Sequence, residues 1–303
     1  MSPANNRRGI LAMLMAMFFF ILNDTLLKLA SATLPPGQIM AVRGVFATAM
    51  AACIVAATGR LGDVRKLASP FAVLRACLEA VVAFLFISSL SHLPIAIITA
   101  IVQSTPLIMT AAMVVLGMER VRWRRWSAIA VGFAGVLVIV RPGPEGLNVY
   151  ALVALAAAVL VAGRDLATRF VPPDVPSTVV ALASTAAVGL AGVLAGFSET
   201  WPPLGGREMA YILGAAVLVT LGNLANIMAF RGTDVSVVSP FRYSVILWAI
   251  LLGVAVFGEL PDLTAFLGIA LIAGSGLYTI YRERARQREA ARTAALLEPR
   301  EAA

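Results

Sequence analysis

Apolar runs long enough to cross a lipid bilayer follow one another along almost the whole of this chain. A helix needs about 20 apolar residues to span the hydrocarbon core, and only helices and closed barrels satisfy their backbone groups there. Charged residues make up 13% of the chain and hydrophobic residues 60%, whereas a soluble domain is typically about 25% charged. The sequence therefore predicts an all-α integral membrane protein whose surface contacts the lipid bilayer.

The apolar runs divide the chain into ten predicted transmembrane helices. Gly and Pro residues mark most of the short connections between them. The predicted spans are residues 9–31, 37–58, 70–91, 94–117, 124–141, 147–170, 176–197, 208–230, 235–257 and 263–281. An even number of spans places both termini on the same side of the membrane.

Lys and Arg residues are concentrated in the segments on the same side of the membrane as the N-terminus. The segments predicted on the opposite side hold only Lys28, Arg141 and Arg207. Because positively charged residues accumulate on the cytoplasmic side, both termini are predicted to be cytoplasmic. The net charge of +8 therefore reflects helix ends and not one basic face of a nucleic-acid-binding module, so no nucleic-acid partner is expected.

The chain repeats part of its pattern at an offset of 140 residues, from Glu119 to Glu259. Each Glu precedes a Gly-rich apolar helix, and earlier in each half an acid and a base lie four residues apart. These pairs are Asp24 with Lys28 and Asp165 with Arg169. The repeat predicts two five-helix units, residues 1–143 and 144–281, followed by a basic cytoplasmic tail at 282–303. Because five is an odd number, the units must be inverted, which places a substrate site between them and supports alternating access.

Several segments resemble the drug/metabolite transporter superfamily in its ten-span, EamA-type branch. They are ILNDTLLKLA in the first span, Arg43 in the second, and the two Glu-led segments that enter the fifth and tenth spans. The resemblance implies a multi-pass protein of the bacterial inner membrane with two copies of a five-helix domain. It also implies secondary export of small metabolites, commonly amino acids, and similarity to bacterial exporters of amino acids that include aromatic ones.

One position departs from the family pattern, in which a Pro often precedes the Glu in both the fourth and the ninth span. Pro106 fits this pattern in the first half, but the aligned residue in the second half is Ile246, and Pro240 lies earlier. A Pro has no N–H to donate to the preceding turn, so it interrupts a helix. We therefore expect a helix break near Pro106 and a break at a different place in the ninth span.

Charged residues inside the spans are the first candidates for functional groups, since a charge at the bilayer centre costs about 2.5–3.5 kcal/mol on insertion scales. Asp24 and Arg43 are expected at similar depth on neighbouring helices and are predicted to form an ion pair, with Lys28 extending outward. Asp165 and Arg169 are predicted as the corresponding structural pair of the second half. Direct substrate contact by Asp24 or Arg43 is the alternative.

Glu79 is predicted near the middle of the third span, where it could bind a substrate ammonium group or change its protonation during transport. The alternative is a Glu that is neutralised by Arg75 or Arg43. Arg242 is the candidate partner of a substrate carboxylate. The full set of predicted substrate-binding residues is Glu79, Arg43, Gln103, Asn223, Asn226, Arg242, Tyr243 and Trp248.

Small residues line the helices that follow the two repeated Glu residues. They are Gly132, Gly135, Gly268, Gly274 and Gly276. Gly and Ala allow helices to approach closely. These positions predict close packing, either within one molecule or in a homo-dimer formed through the Gly-rich helices.

The sequence offers no constellation typical of an enzyme. It contains a single histidine, His92, and no Cys or His cluster with metal-ligand spacing or phosphate-binding Gly loop, so no metal and no cofactor are expected. An acid, a base and an apolar wall suit an amino acid, which makes a secondary exporter of amino acids or similar amphipathic metabolites the favoured function. The alternative is a carrier of nucleotide sugars, lipophilic drugs or cations.

Overall fold

The computed structural model describes residues 3–118, 123–140, 148–230, 233 and 235–297, and all regular structure in these ranges is helical. The α-helices are α1 Pro3–Ser31, α2 Pro36–Ala57, α3 Pro70–Leu90, α4 Ile95–Val102, α5 Thr105–Val115, α6 Trp123–Val140, α7 Val149–Thr168, α8 Ser177–Ala195, α9 Gly206–Phe230, α10 Val235–Val238, α11 Ser244–Phe257 and α12 Leu263–Leu297. Two short 3-10 helices, Leu61–Ala68 and Ser239–Tyr243, complete the set. The predicted all-α fold is confirmed for these residues.

Within these ranges, nine helical stretches are long and apolar enough to cross a membrane. One of them, Ile95–Val115, combines α4 and α5, and another, Ser239–Phe257, combines a 3-10 helix with α11. The fifth predicted span corresponds to a shorter apolar stretch, Trp126–Val140. The repeated Glu119 lies outside the described residues.

The fourth span is interrupted where the sequence predicts a break. Helix α4 ends at Val102 and α5 begins at Thr105, one residue before Pro106. The carbonyl of Val102 accepts a hydrogen bond of 2.6 Å from the Thr105 hydroxyl. A side chain thus replaces the donor that the Pro lacks.

The ninth span is interrupted at a different level, as the departure from the family pattern leads us to expect. The 3-10 helix Ser239–Tyr243 contains Pro240 and separates α10 from α11, whereas Ile246 lies inside α11. The two interruptions replace regular α-helix by a turn in the fourth span and by a 3-10 helix in the ninth. Irregular backbone at membrane depth is tolerated where it lines a cavity.

The two halves of the chain interleave instead of lying side by side. Helix α1 packs on α9, α2 on α8, α3 on α7, α4 on α11 and α6 on α12. Numbered as spans, these contacts are 1 with 8, 2 with 7, 3 with 6, 4 with 9 and 5 with 10. If every span is replaced by the span five positions away in the chain, so that 1 becomes 6 and 8 becomes 3, the same five contacts are obtained.

The bundle is apolar both inside and outside. Large side chains fill its interior, among them Met13, Ile21, Leu27, Ile98, Ile101 and Ile212. Other large apolar side chains point outward, among them Val45, Leu137, Leu190, Ile227 and Leu251. Exposed apolar surface on nearly every helix matches a lipid environment and not water.

Two acidic side chains from the second half bind the N-terminal ends of helices from the first half. A carboxylate oxygen of Glu199 accepts the N–H of Gly37 in α2 at 3.1 Å. A carboxylate oxygen of Glu259 accepts the N–H of Ile95 in α4 at 3.2 Å. The first N–H groups of a helix lack intrahelical partners and carry partial positive charge, so both contacts stabilise the junction between the halves.

The predicted Gly-rich helices pack on each other within one molecule. A Cβ atom at Gly135 in α6 would lie 2.8 Å from the carbonyl oxygen of Gly268 in α12. Because Gly276 has no side chain, the ring of Tyr243 can occupy the space next to it. Four of the five predicted glycines, Gly132, Gly135, Gly268 and Gly276, therefore serve contacts inside the chain, and a Cβ at Gly274 would meet no atom.

Gly135→Ala is expected to destabilise the protein because the new methyl group would meet backbone that cannot rotate away. Overpacking of this kind typically costs about 1–3 kcal/mol. Gly274→Ala is the matched control, since it has the same change in helix propensity and open space around it. Thermal unfolding of the two purified variants in one detergent measures the difference, and equal midpoints would contradict the close approach of α6 and α12.

Candidate substrate cavity

A cavity of about 800 Å³ lies in the middle of the bundle. Its wall comes from both halves: α1, α2, α3 and the α4–α5 break on one side, and α7, α9, α12 and the 3-10 helix Ser239–Tyr243 on the other. Both interrupted spans thus border the cavity. Its volume is in the range of small-molecule binding sites.

One end of the cavity is closed. Leu27 on α1 and Ile87 on α3 line this end and are each only 1% exposed. One residue beyond Leu27, the Lys28 ammonium pairs with Glu259 at 2.6 Å and donates to the carbonyl oxygen of Leu93, also at 2.6 Å. We call this group the latch: Lys28, Glu259, Leu93 and the Ile95 N–H that the second Glu259 oxygen accepts.

The latch is well shielded from solvent, since the side chains of Lys28 and Glu259 are 10% and 26% exposed. The Lys28 ammonium also lies 4.9 Å from the centre of the Phe257 ring, a cation–π distance. Because its members come from α1, the α3–α4 loop and the segment after α11, the latch joins the two halves across the closed end.

The opposite end of the cavity is open. Asp165, Arg169 and Arg242 line it, and all three residues are exposed. Near this end, Lys66 bonds the carboxylate of Asp63 at 2.9 Å and the backbone carbonyl of Asp174 at 3.1 Å. The hydrogen bond to Asp63 raises the pKa of Lys66 above its ordinary value, and the contact with Asp174 joins the 3-10 helix Leu61–Ala68 to the segment after α7.

The structure gives the predicted ion-pair residues other partners. Lys28 bonds Glu259 and not Asp24. Asp165 accepts from Arg164, its neighbour in sequence, at 2.7 Å, while a guanidinium nitrogen of Arg169 lies 3.2 Å from the sulfur of Met113. Among the described residues, Asp24 has no cation within ion-pairing distance.

Asp24 and Arg43 are connected through Asn23. The Asn23 amide nitrogen donates to a carboxylate oxygen of Asp24 at 2.8 Å. The Asn23 amide oxygen accepts from the Arg43 guanidinium at 3.3 Å. All three side chains line the cavity near its closed end.

Glu79 lines the middle of the cavity and pairs with Arg164 of α7 at 3.1 Å. Arg75, one turn earlier on α3, instead donates to Thr168 at 3.0 Å and to Ser184. Arg164 thus supplies the partner that the sequence assigned to Arg75 or Arg43. Arg164 lies inside the predicted span 147–170, and a charged residue within a span is the sequence signal that could have identified it.

Five of the predicted substrate-binding residues share the cavity wall and three do not. The five are Glu79, Arg43, Gln103, Arg242 and Tyr243. Asn223 is exposed on α9, and Asn226 of the same helix is absent from the cavity lining. Trp248 packs edge-on against Phe18, with ring centres 5.1 Å apart.

The charges around the cavity are of both signs. Acids line it at Asp24, Glu79 and Asp165, and bases at Arg43, Arg164, Arg169 and Arg242. Apolar wall residues include Phe20, Val82, Phe86 and Met109. In the described part of the chain, no group of three or more His, Cys, Asp or Glu could hold a metal ion. The arrangement suits an organic molecule that carries charge and an apolar part.

A helical membrane bundle with a polar cavity between interleaved halves has the architecture of a membrane transporter. The sequence profile of the EamA-like transporter family matches this chain twice, at residues 7–141 and 148–281. The chain belongs to the EamA-like transporter family, and the membership in the drug/metabolite transporter superfamily that the sequence predicts is confirmed.

Named transporters are among its relatives. A riboflavin transporter of Rhizobium johnstonii is 29% identical over 212 residues, 68% of each chain. A pseudopaline exporter of Pseudomonas aeruginosa is 25% identical over 267 residues, 88% of this chain and 93% of the relative. An S-adenosylmethionine uptake transporter of Rickettsia felis is 28% identical over 194 residues, 63% of this chain and 65% of the relative.

The fold also occurs in a solved crystal structure. That protein is 22% identical, and the alignment covers 92% of this chain and 98% of the other with a TM-score of 0.60. At this level of identity, the likeness concerns the fold alone.

Proposed function

We propose that this protein is a secondary exporter of small amphipathic metabolites, above all amino acids, that works by alternating access. The observation that carries the proposal is the central cavity, which is walled by both halves and has buried lining residues at one end and exposed ones at the other. A carrier needs such a site and a way to exchange the open end for the closed one. Acids, bases and an apolar wall around one cavity favour a zwitterion with an apolar side chain.

We further propose that the two units, residues 1–143 and 144–281, lie inverted in the inner membrane with both termini in the cytoplasm. The contacts between spans stay the same when each span is replaced by the one five positions away, and this supports a two-fold relation between the units. Helix α12 continues into the predicted basic tail, which suits a helix that leaves the membrane near anionic headgroups. With this orientation, the open end of the cavity faces the cytoplasm, where an exporter collects its substrate.

A carrier of another substrate class is the second candidate, because relatives are named for riboflavin, pseudopaline and S-adenosylmethionine. The purified protein in liposomes distinguishes the candidates. We expect exchange of labelled amino acids, measured across a panel with and without a pH gradient, and no exchange in protein-free liposomes. Exchange of riboflavin or S-adenosylmethionine with none of any amino acid would favour the second candidate.

Glu79→Gln is expected to lower the initial rate of exchange about tenfold, since a charge-assisted hydrogen bond contributes about 1.5–3 kcal/mol and Arg164 loses its ionic partner. Glu208→Gln is the matched control, because Glu208 lies in the first turn of α9 and outside the cavity lining. Equal rates for wild type and the Glu79 variant in the same liposomes would remove Glu79 from the transport mechanism.

A further inference from the structure

We propose that Asn23, Asp24 and Arg43 form the subsite that binds the charged head of a zwitterionic substrate. Asp24 takes the cationic group, Arg43 takes the anionic group, and Asn23 holds the two charges apart. This assignment rests on the proposed function and gives it a location, at the closed end of the cavity.

The amide of Asn23 can have only one orientation in this cluster. A carboxylate only accepts hydrogen bonds and a guanidinium only donates them. Asn23 must therefore turn its nitrogen to Asp24 and its oxygen to Arg43, as the distances of 2.8 Å and 3.3 Å show. The Asn23 residue is 5% exposed, so the spacer is fixed by its surroundings as well as by its partners.

The spacer leaves both charges available. No carboxylate among the described residues pairs with Arg43, and the hydrogen bond from Asn23 occupies one oxygen of Asp24. The other two acids of the cavity wall, Glu79 and Asp165, are already paired, since both bond Arg164. Unpaired charges deep in a membrane protein are costly and mark binding sites or ion pathways. A ligand that carries both charges would neutralise the Asp24 and Arg43 side chains together.

The surroundings define the class of ligand. The cluster faces a cavity whose wall includes Phe20 and Phe86, so a bound head group leaves room for an apolar or aromatic side chain along this wall. Two charges held one amide group apart match a cation and an anion that are joined through one or a few carbon atoms. The α-amino acid head is the smallest common group with this pattern.

Three probes separate the two charges chemically: phenylalanine has both, 3-phenylpropionate lacks the ammonium group, and phenethylamine lacks the carboxylate. Binding of each probe to the full-length protein in nanodiscs is measured by calorimetry. Asp24→Asn keeps the hydrogen bond with Asn23 and removes one charge. We expect Asp24→Asn to weaken the binding of phenylalanine and phenethylamine at least about tenfold and to leave the binding of 3-phenylpropionate unchanged.

Arg43→Gln is expected to give the complementary pattern. It should weaken the binding of phenylalanine and 3-phenylpropionate by a similar factor and leave the binding of phenethylamine unchanged. Asp63→Asn is the matched control, because this acid pairs with Lys66 and lies outside the cavity lining. It should not discriminate among the three probes.

The outcomes separate the subsite from the proposed function. Equal weakening of all three probes by Asp24→Asn, or no weakening, would overturn the subsite while phenylalanine binding still supports an amino-acid carrier. If wild type binds none of the probes, the proposed amino-acid specificity fails and the subsite fails with it.

Discussion

Removal of the Lys28 charge is expected to open the closed end of the cavity. Lys28→Met leaves Glu259 without its cation and the Leu93 carbonyl without its donor, so the closed state loses charge-assisted hydrogen bonds of about 1.5–3 kcal/mol each. A loss of this size shifts a two-state equilibrium about 10-fold or more toward the state that lacks the contact. Glu259→Gln should act in the same direction and more weakly, because its amide oxygen can still accept from Ile95.

Chemical labelling measures this opening. A Leu27→Cys reporter is placed in a background in which the free, exposed Cys53 and Cys77 are replaced by Ser. A membrane-impermeant maleimide applied to the outer face of cells should modify the reporter slowly. Its rate should rise about tenfold or more when Lys28→Met is added.

Lys66→Met is the control for this experiment, since it removes an exposed ion pair at the other end of the bundle. It should leave the labelling rate unchanged. A reporter that reacts equally fast with and without Lys28 would show that the latch does not hold this end closed.

Arg164→Leu is expected to have the largest effect on stability. The guanidinium serves Glu79 of α3 and Asp165 of its own helix, so its removal leaves Glu79 without a cation inside the membrane. Loss of one partner of a buried pair costs about 3–5 kcal/mol, and the partial exposure of these side chains reduces the expected cost to about 2 kcal/mol. Thermal unfolding in detergent should show a clear decrease in the midpoint.

A second substitution tests the cause of this decrease. Glu79→Leu combined with Arg164→Leu removes both charges and should recover most of the lost stability. Arg169→Leu is the matched control on the same helix, because Arg169 is exposed and bonds only the Met113 sulfur among the described residues. A decrease for Arg169→Leu as large as that for Arg164→Leu would contradict a specific role of the Glu79 pair.

The helices and their interruptions were predictable because they depend on local chemistry. Length and apolar composition define a span in lipid, and the missing N–H of Pro106 defines a break wherever the rest of the helix lies. The duplicated Glu-led segments likewise led to the family without any knowledge of contacts. These features need only the order of residues along the chain.

Which side chains meet inside the cavity depends on the rotation of each helix about its own axis. The apolar pattern of this sequence does not show that rotation. In a soluble helix the apolar stripe shows the buried face, but a helix surrounded by lipid and protein is apolar on both faces. The sequence therefore predicts Asn223 and Trp248 at the cavity, although neither residue lines it in the structure. Lys28 and Glu259 are 231 residues apart, and only the packing of the two halves brings them together.

The contacts that Glu199 and Glu259 make with α2 and α4 have a consequence for biogenesis. The first half emerges from the ribosome with its Lys28 and these two helix N-termini still lacking their acidic partners. Their partners follow only with the segments after α8 and α11, so the first five spans enter the bilayer as an unfinished unit. The first half can therefore make these contacts only after the second half has been synthesised.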